Sequence, residues 1–147
     1  MKLRTILLVF VILVAASRSA SGQEVKKFEL NAVFGWAGQA GGIIKSFGYR
    51  LLDGFVLTEA NLAIFQHCNP LSANLTLQLP LGPACPYITA GYGLAFSGFG
   101  ISNVAAGLKV WISPNAGVLA DVRKFRFTYS GKKTTTTMIG VGFAYRL

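Results

Sequence analysis

The chain has 147 residues, 52% of them hydrophobic, with 14 Lys and Arg, 5 Asp and Glu, one His and two Cys. This length predicts a single domain. One histidine and two separated cysteines offer no zinc-binding pattern, so we expect neither a metal nor another cofactor.

The first 22 residues have the layout of a secretory signal peptide. Two basic residues precede an apolar run from Ile6 to Ala16, and small residues follow up to Gly22. About eleven apolar residues are too few for a membrane-spanning helix, which needs roughly 20. We therefore expect residues 1–22 to be a cleaved signal peptide and residues 23–147 to form the mature domain.

After this segment, large apolar residues alternate with small or polar ones in short stretches bounded by Gly, Pro, Asn and Asp. Such a period of two is typical of β-strands, and the intervening residues are typical of turns. The predicted strands lie, in chain order, at 28–36, 46–51, 55–65, 74–79, 87–96, 103–112, 118–124 and 134–147. The sequence therefore predicts eight strands.

The seventh strand has an ambiguous phase. Up to Lys124 its bulky residues follow the same alternation as the other strands, but beyond this point the bulky residues are Phe125, Phe127 and Tyr129. Either a β-bulge shifts the register there, or the strand has already left the hydrocarbon zone of a membrane.

The smaller residues of each strand indicate whether the bulky residues face the inside of a soluble barrel or the lipid around a membrane barrel. In a soluble eight-stranded barrel of the lipocalin kind, the bulky set would point inward and the outer face would be rich in charge. Here the second set is mostly Gly, Ala, Ser, Thr and Asn, which suits a narrow lumen better than a solvent face. The sequence thus predicts an all-β, eight-stranded antiparallel up-and-down transmembrane β-barrel. Its termini and the turns at 52–54, 80–86 and 113–117 would lie on the periplasmic side.

The predicted inward register gathers seven charged residues in one lumen. A buried charge is costly unless it is paired and hydrogen-bonded, so we expect ion pairs, centred on Glu59, Arg123 and Lys109. An eight-stranded barrel is only just wide enough for side chains to fill. We therefore expect a plugged lumen, with a passive pore for small solutes as the alternative. The lumen charges are Glu29, Arg50, Glu59, Lys109, Asp121, Arg123 and Arg146.

A second set of basic residues is predicted at the outer rim of the barrel. Nucleic acid is the generic partner of basic clusters, but a signal peptide and a lipid-facing barrel argue against it. At that height, cations would meet the phosphates of lipopolysaccharide, where charge-assisted bonds are available. The alternative is a merely solvated hairpin tip. The rim residues are Lys45, Lys124, Arg126, Lys132 and Lys133.

Catalysis has little support in the sequence. His67 stands beside Cys68 and Asn69 in a predicted outer loop, but a Ser or Cys nucleophile would also need a base oriented by a third group. No such constellation is specified, so we expect no enzyme. A lipid A-modifying hydrolase is the less favoured alternative.

Four short motifs in this order resemble a known family. They are PYITAGYG at 86–93, GLKV at 107–110, ADVR at 120–123 and GFAYR at 142–146. Together they resemble the small bacterial outer-membrane β-barrel domain, the opacity and outer-membrane protein A-like group, and the resemblance covers essentially the mature chain. It implies a barrel in the bacterial outer membrane, surrounded by outer-membrane lipids, with a structural or surface-interaction role. We expect a monomer.

In that group the final strand also resembles the signal read by the barrel assembly machinery. The signal has a terminal aromatic residue, another aromatic two residues before it, and apolar residues at alternating positions further back. The match consists of Ile139, Val141, Phe143 and Tyr145. Leu147 stands where the group usually ends in Phe.

We predict that Cys68 and Cys85 form no disulfide, although an oxidising envelope favours one. Cys68 lies in the predicted loop before the fourth strand and Cys85 in the predicted turn after it. Even six strand residues separate their ends by about 20 Å, and a disulfide needs Cα atoms within roughly 7 Å. Thiol labelling of folded, never-reduced protein with peptide mapping should find two free thiols. An intact crosslink would overturn the eight-strand assignment.

Overall fold

The computed structural model describes residues 26–37, 40–52, 55–65, 69–95 and 98–147. The predicted signal peptide and its cleavage site lie outside the described residues, as do His67 and Cys68 of the predicted outer loop. Within the described part of the chain, no helix is long and apolar enough to cross a bilayer.

Eight antiparallel strands form one closed barrel, and each strand pairs with its neighbours in sequence. This confirms the predicted up-and-down barrel. The strands are β1 (Phe28–Ala37), β2 (Ala40–Leu51), β3 (Val56–Phe65), β4 (Pro70–Gln78), β5 (Ala84–Ala95), β6 (Gly100–Trp111), β7 (Ala116–Tyr129) and β8 (Lys132–Arg146). The end of the barrel that holds residues 26 and 147 is called the terminal end, and the opposite end is called the loop end.

The register of the strands sets the tilt of the barrel. One row of paired residues circles the barrel and returns to β7 ten residues above its starting point, from Val118 to Thr128. A stagger of this size in an eight-stranded barrel corresponds to strands tilted by about 40° and to an interior that side chains can fill. The complete row is Val118, Phe143, Ala32, Lys45, Leu62, Leu71, Leu94, Gly100 and Thr128.

The outer face is apolar and the inner face carries the polar and charged residues. Large side chains such as Trp36, Ile139 and Phe143 are 63 to 65% exposed, whereas Glu29, Glu59, Asp121 and other polar residues are buried. This is the reverse of a soluble protein, in which large exposed apolar surfaces are rare. The alternation therefore presents the bulky set to lipid, as predicted.

No bulge interrupts the seventh strand, since β7 pairs continuously with both β6 and β8. Phe125 is buried and Phe127 partly buried, so both continue the inward register of Asp121 and Arg123. Of the two alternatives for this strand, the β-bulge is therefore wrong. The phase looked ambiguous because the inward residues change from charged to aromatic while their direction stays the same.

The connection between β4 and β5 is shorter than the predicted turn at 80–86. Cys85 is the second residue of β5 and is 1% exposed, and Pro86 follows it within the strand. Cys85 is a free cysteine. At the loop end, Ser130 and Gly131 both have positive φ, the conformation of a two-residue hairpin turn that matches the strand twist.

Gly107→Ala should destabilise the barrel. A Cβ atom at this position would lie 2.6 Å from the Ala120 carbonyl oxygen and 2.6 Å from the Tyr87 ring. Both neighbours are held in the wall or the lumen, so we expect the free energy of unfolding to fall by about 1–3 kcal/mol. Urea titration of the protein in detergent micelles, followed by gel mobility without heating, measures this change.

Gly41→Ala is the matched control, because a Cβ atom there meets nothing within 4 Å. Its effect should stay within about 0.5 kcal/mol. Equal losses for the two variants would contradict the close approach of Tyr87 to the backbone of β6.

Candidate functional site

The barrel lumen contains three layers of side chains. A charged cluster lies at the terminal end, a hydrogen-bonded network occupies the middle, and an apolar cap closes the loop end. All seven predicted lumen charges lie on the inner face, with Glu29, Glu59, Lys109, Asp121 and Arg123 buried.

The terminal cluster is built around Glu29, whose side chain is fully buried. The Lys109 ammonium forms an ion pair with Glu29 and donates to Gln78 Oε1 at 3.2 Å. Arg50 Nε lies 3.9 Å from the second oxygen of Glu29. Because β1, β2, β4 and β6 supply these groups, the cluster ties strands together across the lumen.

Arg146, at the end of β8, belongs to the same cluster but makes a different contact. Its guanidinium carbon lies 3.4 Å from the centre of the Trp111 ring. A cation over an indole face is stabilised by the ring quadrupole, more strongly where water is excluded. Trp111 is buried, so the stacking holds the Arg146 head group in place.

Neutral donors satisfy Glu59 in the middle layer. Asn31 Nδ2 and Ser46 Oγ donate to Glu59 Oε1 at 3.0 and 3.2 Å, and Thr76 Oγ1 donates to Oε2 at 2.5 Å. The Thr89 hydroxyl lies 2.7 Å from that of Thr76 and extends the network to β5. Three hydrogen bonds to one carboxylate compensate for its loss of water.

Asp121 forms the second centre of the middle layer. Arg123 Nη2 donates to Asp121 Oδ2 at 3.1 Å, and the Tyr87 hydroxyl donates to the same oxygen at 3.2 Å. With its amide oxygen turned towards Arg123, Asn61 accepts from Arg123 Nη1 at 3.1 Å. Arg123 therefore has an anionic and a neutral partner.

These contacts correct the predicted centre of the ion pairs. Among the described residues, Glu59 has no ion pair, Arg123 pairs with Asp121, and Lys109 pairs with Glu29. The prediction grouped charges of opposite sign, but the sequence alone does not give the position of each residue along the barrel axis. Lys109 lines the same cavity as Glu59 and Arg123, but its ammonium turns to Glu29 near the terminal end.

The loop end of the lumen is apolar. The Phe65 and Phe125 rings meet edge to face with centroids 5.3 Å apart, and Phe127 lies 6.1 Å from Phe125. Ile101 and Met138 are almost fully buried beneath them. This cap is an extension of the hydrophobic core and leaves no polar path among these side chains.

A cavity of about 10 Å³ remains in the middle layer. That volume matches a single water molecule. Its polar lining includes Asn31, Ser46, Glu59 and Arg123.

Four predicted rim cations are exposed near the loop end. Lys124 and Arg126 lie on the outer face of β7, and Lys132 and Lys133 begin β8. Arg126 pairs with Ser102 on one side and Thr135 on the other, so hydroxyl groups flank it.

The strand register places Lys45 between apolar neighbours. It is exposed and lies five residues below the loop end of β2, as Lys124 does below that of β7, but it pairs with Ala32 and Leu62. Lys45 therefore emerges from the apolar outer face below the rim. Its aliphatic stem can lie along this surface while the ammonium reaches towards the interface.

The final strand presents the predicted apolar stripe to the outside. Ile139, Val141, Phe143 and Tyr145 are 45 to 65% exposed on β8, and Leu147 follows the strand at 52%. Gly140, Gly142 and Ala144 of the same strand turn inward, where the wall approaches the lumen contents closely.

Sequence reasoning missed several neutral members of the lumen network. Tyr87, Trp111 and Gln78 lie in the inward register, but their partners are on other strands. The available signal was the presence of large polar or aromatic residues in a register otherwise filled by Gly, Ala, Ser and Thr.

Solved structures resemble this fold, whereas no protein-family model and no curated protein match the chain. A de novo designed transmembrane β-barrel shares 15% identity over 85% of this chain and 98% of its own, with a TM-score of 0.70. The N-terminal β-barrel domain of Pseudomonas aeruginosa OprF shares 18% identity over 85% and 100%, with a TM-score of 0.67. The outer membrane enzyme PagL shares 17% identity over 81% and 99%, with a TM-score of 0.52.

The comparison confirms, at the level of the fold, the predicted resemblance to small eight-stranded outer-membrane barrels. A designed barrel and an enzyme share the architecture, so the fold does not identify an activity.

Glu59→Ala should destabilise the protein strongly, because three buried donors lose their common acceptor. We expect the free energy of unfolding to fall by about 3–5 kcal/mol, because each buried donor left without an acceptor costs roughly 1–3 kcal/mol and removal of the buried charge offsets part of this loss. Since the donors from Asn31, Ser46 and Thr76 are neutral, Glu59→Gln should lose less. Urea titration in micelles measures both variants.

Thr58→Ala is the control for the same stretch of β3. Thr58 lies on the outer face, where its hydroxyl donates to the Tyr49 carbonyl at 3.3 Å. Its loss should be below about 1 kcal/mol. A Glu59→Ala loss no larger than this would contradict the network.

Proposed function

We propose that this chain is a small integral barrel of the bacterial outer membrane with a structural or surface-interaction role and no open pore. The observation that carries the proposal is a lumen occupied from end to end by packed side chains. The Glu29 cluster, the Glu59 network and the Phe125 cap follow one another along the axis.

Three observations support the location in the outer membrane. The outer face is an apolar belt, the sequence begins with the pattern of an export signal, and the barrel domain of OprF and the outer membrane enzyme PagL have the same fold. A closed barrel satisfies every backbone hydrogen bond within lipid, which open sheets cannot do.

A passive pore is the alternative for this lumen. It would require a continuous wet path past Phe65, Phe125 and Phe127, whose rings pack against one another. It would also require separation of the Lys109–Glu29 ion pair below them. Both contacts favour the closed form.

An outer-membrane enzyme is the other alternative, since PagL has the same fold. Within the described residues, the carboxylates of Glu29, Glu59 and Asp121 are all buried inside the barrel. An acid that orients a base on the lipid-facing surface would have to lie elsewhere in the chain. This arrangement favours a role without catalysis.

Lipid contacts are part of the proposal. The exposed cations Lys124, Arg126, Lys132 and Lys133 stand where the apolar belt ends, and hydroxyls flank Arg126. Such a surface suits the phosphates of lipopolysaccharide, because charge-assisted hydrogen bonds to phosphate are strong. We further propose that the exposed stripe of β8 is read by the barrel assembly machinery and that the barrel is monomeric.

Planar-bilayer recordings test the closed lumen. Purified, folded protein should produce no stepwise conductance above the lipid baseline, because an ion would have to displace the packed side chains of the lumen. A general porin inserted under the same conditions is the positive control. Uniform conductance steps that increase in number with added protein would contradict the proposal and favour the passive pore.

A further inference from the structure

Among the described residues, basic groups outnumber acids at the terminal end of the lumen. Two lysines precede β1, and their carbonyl oxygens accept hydrogen bonds from Arg50, which places this segment beside the cluster. Among the described residues at this mouth, one acid faces five basic residues, namely Lys26, Lys27, Arg50, Lys109 and Arg146.

That one acid, Glu29, pairs with Lys109 through Oε1. Its Oε2 makes no hydrogen bond and lies 3.9 Å from Arg50 Nε. Arg146 has no carboxylate partner among the described residues and rests on the Trp111 ring instead. Among the described residues, the basic groups of this cluster therefore outnumber its carboxylates.

Unused hydrogen-bond donors accompany this charge. Arg50 Nε, Arg146 Nε and Trp111 Nε1 are buried and have no hydrogen-bond partner in the described part of the chain. The Arg50 side chain is 6% exposed and Trp111 is 8% exposed. Arg146 keeps partial exposure, so the cluster opens towards the terminal end. Buried donors without acceptors are uncommon and call for an explanation.

We propose that this mouth, formed by Arg50, Arg146 and Trp111, binds a single oxyanion, carboxylate or phosphate, presented from the terminal end. Guanidinium groups offer paired N–H donors that match either anion, and they are more weakly hydrated than an ammonium. Stacking on Trp111 holds Arg146 before the anion arrives, which reduces the entropy lost on binding.

The rest of the lumen does not compete for the anion. In the middle layer, Arg123 is neutralised by Asp121, and Glu59 would repel an anion. The cavity there has about 10 Å³, which is enough for one water molecule but not for a carboxylate group. An anion that entered would therefore stop at the mouth.

Trp111 provides the readout. The chain has two tryptophans, and Trp36 lies on the outer face with 63% exposure. The Trp36→Phe variant therefore reports Trp111 emission alone. It is folded in detergent micelles and titrated with sodium acetate or sodium phosphate at constant ionic strength, balanced with sodium chloride. We expect a saturable change in emission with half-saturation at roughly 1–10 mM, the range of a few charge-assisted bonds.

Variants locate the site. In the Trp36→Phe background, Arg146→Gln should weaken the half-saturation at least tenfold, and Arg50→Gln provides a second test if Arg146→Gln does not fold. Lys45→Gln is the matched control, because it also removes one positive charge and Lys45 is exposed on the outer face of β2, away from the lumen. It should leave the titration unchanged. A response to acetate alone would assign the site to carboxylates, and one to phosphate would extend it to phosphate groups.

Two results would overturn the proposal. The first is the absence of any saturable change with either anion. The second is an equal weakening by Lys45→Gln and Arg146→Gln.

Discussion

The hydrogen-bonded pairing of β1 with β8 is the constraint on which the rest of the structure depends. It runs from Glu29 opposite Arg146 to Trp36 opposite Ile139 and removes the last free sheet edge. In lipid, an unpaired backbone edge would be left without water or protein partners. Closure therefore permits an apolar outer face. It also encloses the inward-facing side chains, including the charged ones.

The narrowness of the barrel explains how the enclosed side chains are arranged. With a stagger of ten residues over eight strands, the interior has room for side chains and little else. Charges inside must be neutralised locally, as Asp121 does for Arg123, or satisfied by neutral donors, as for Glu59. Glycines such as Gly107 give large rings like Tyr87 the space to lie against the wall. The apolar cap, the neutral-donor network and the basic mouth are three ways in which side chains fill this narrow interior.

The two ends of the lumen differ in a way that bears on function. Aromatic rings around Phe125 pack at the loop end, whereas the described residues of the terminal end include more basic groups than carboxylates. A designed protein and an enzyme have the same barrel, so the fold does not identify the function of either end. What distinguishes this chain lies in the contents of its lumen and in the cations at its outer edge.

The sequence by itself determined the number of strands and the direction of nearly every side chain, because alternation is local and each strand repeats it. It did not determine the contacts between strands. Glu59 was expected to pair with cations, Lys45 was expected at the rim, and Cys85 was expected in a turn. Each of these depends on the stagger between strands, which sets the height of a residue relative to residues far away in the chain. Only the closed tertiary structure fixes that stagger, because a row of hydrogen bonds must meet itself after a full circuit of the barrel.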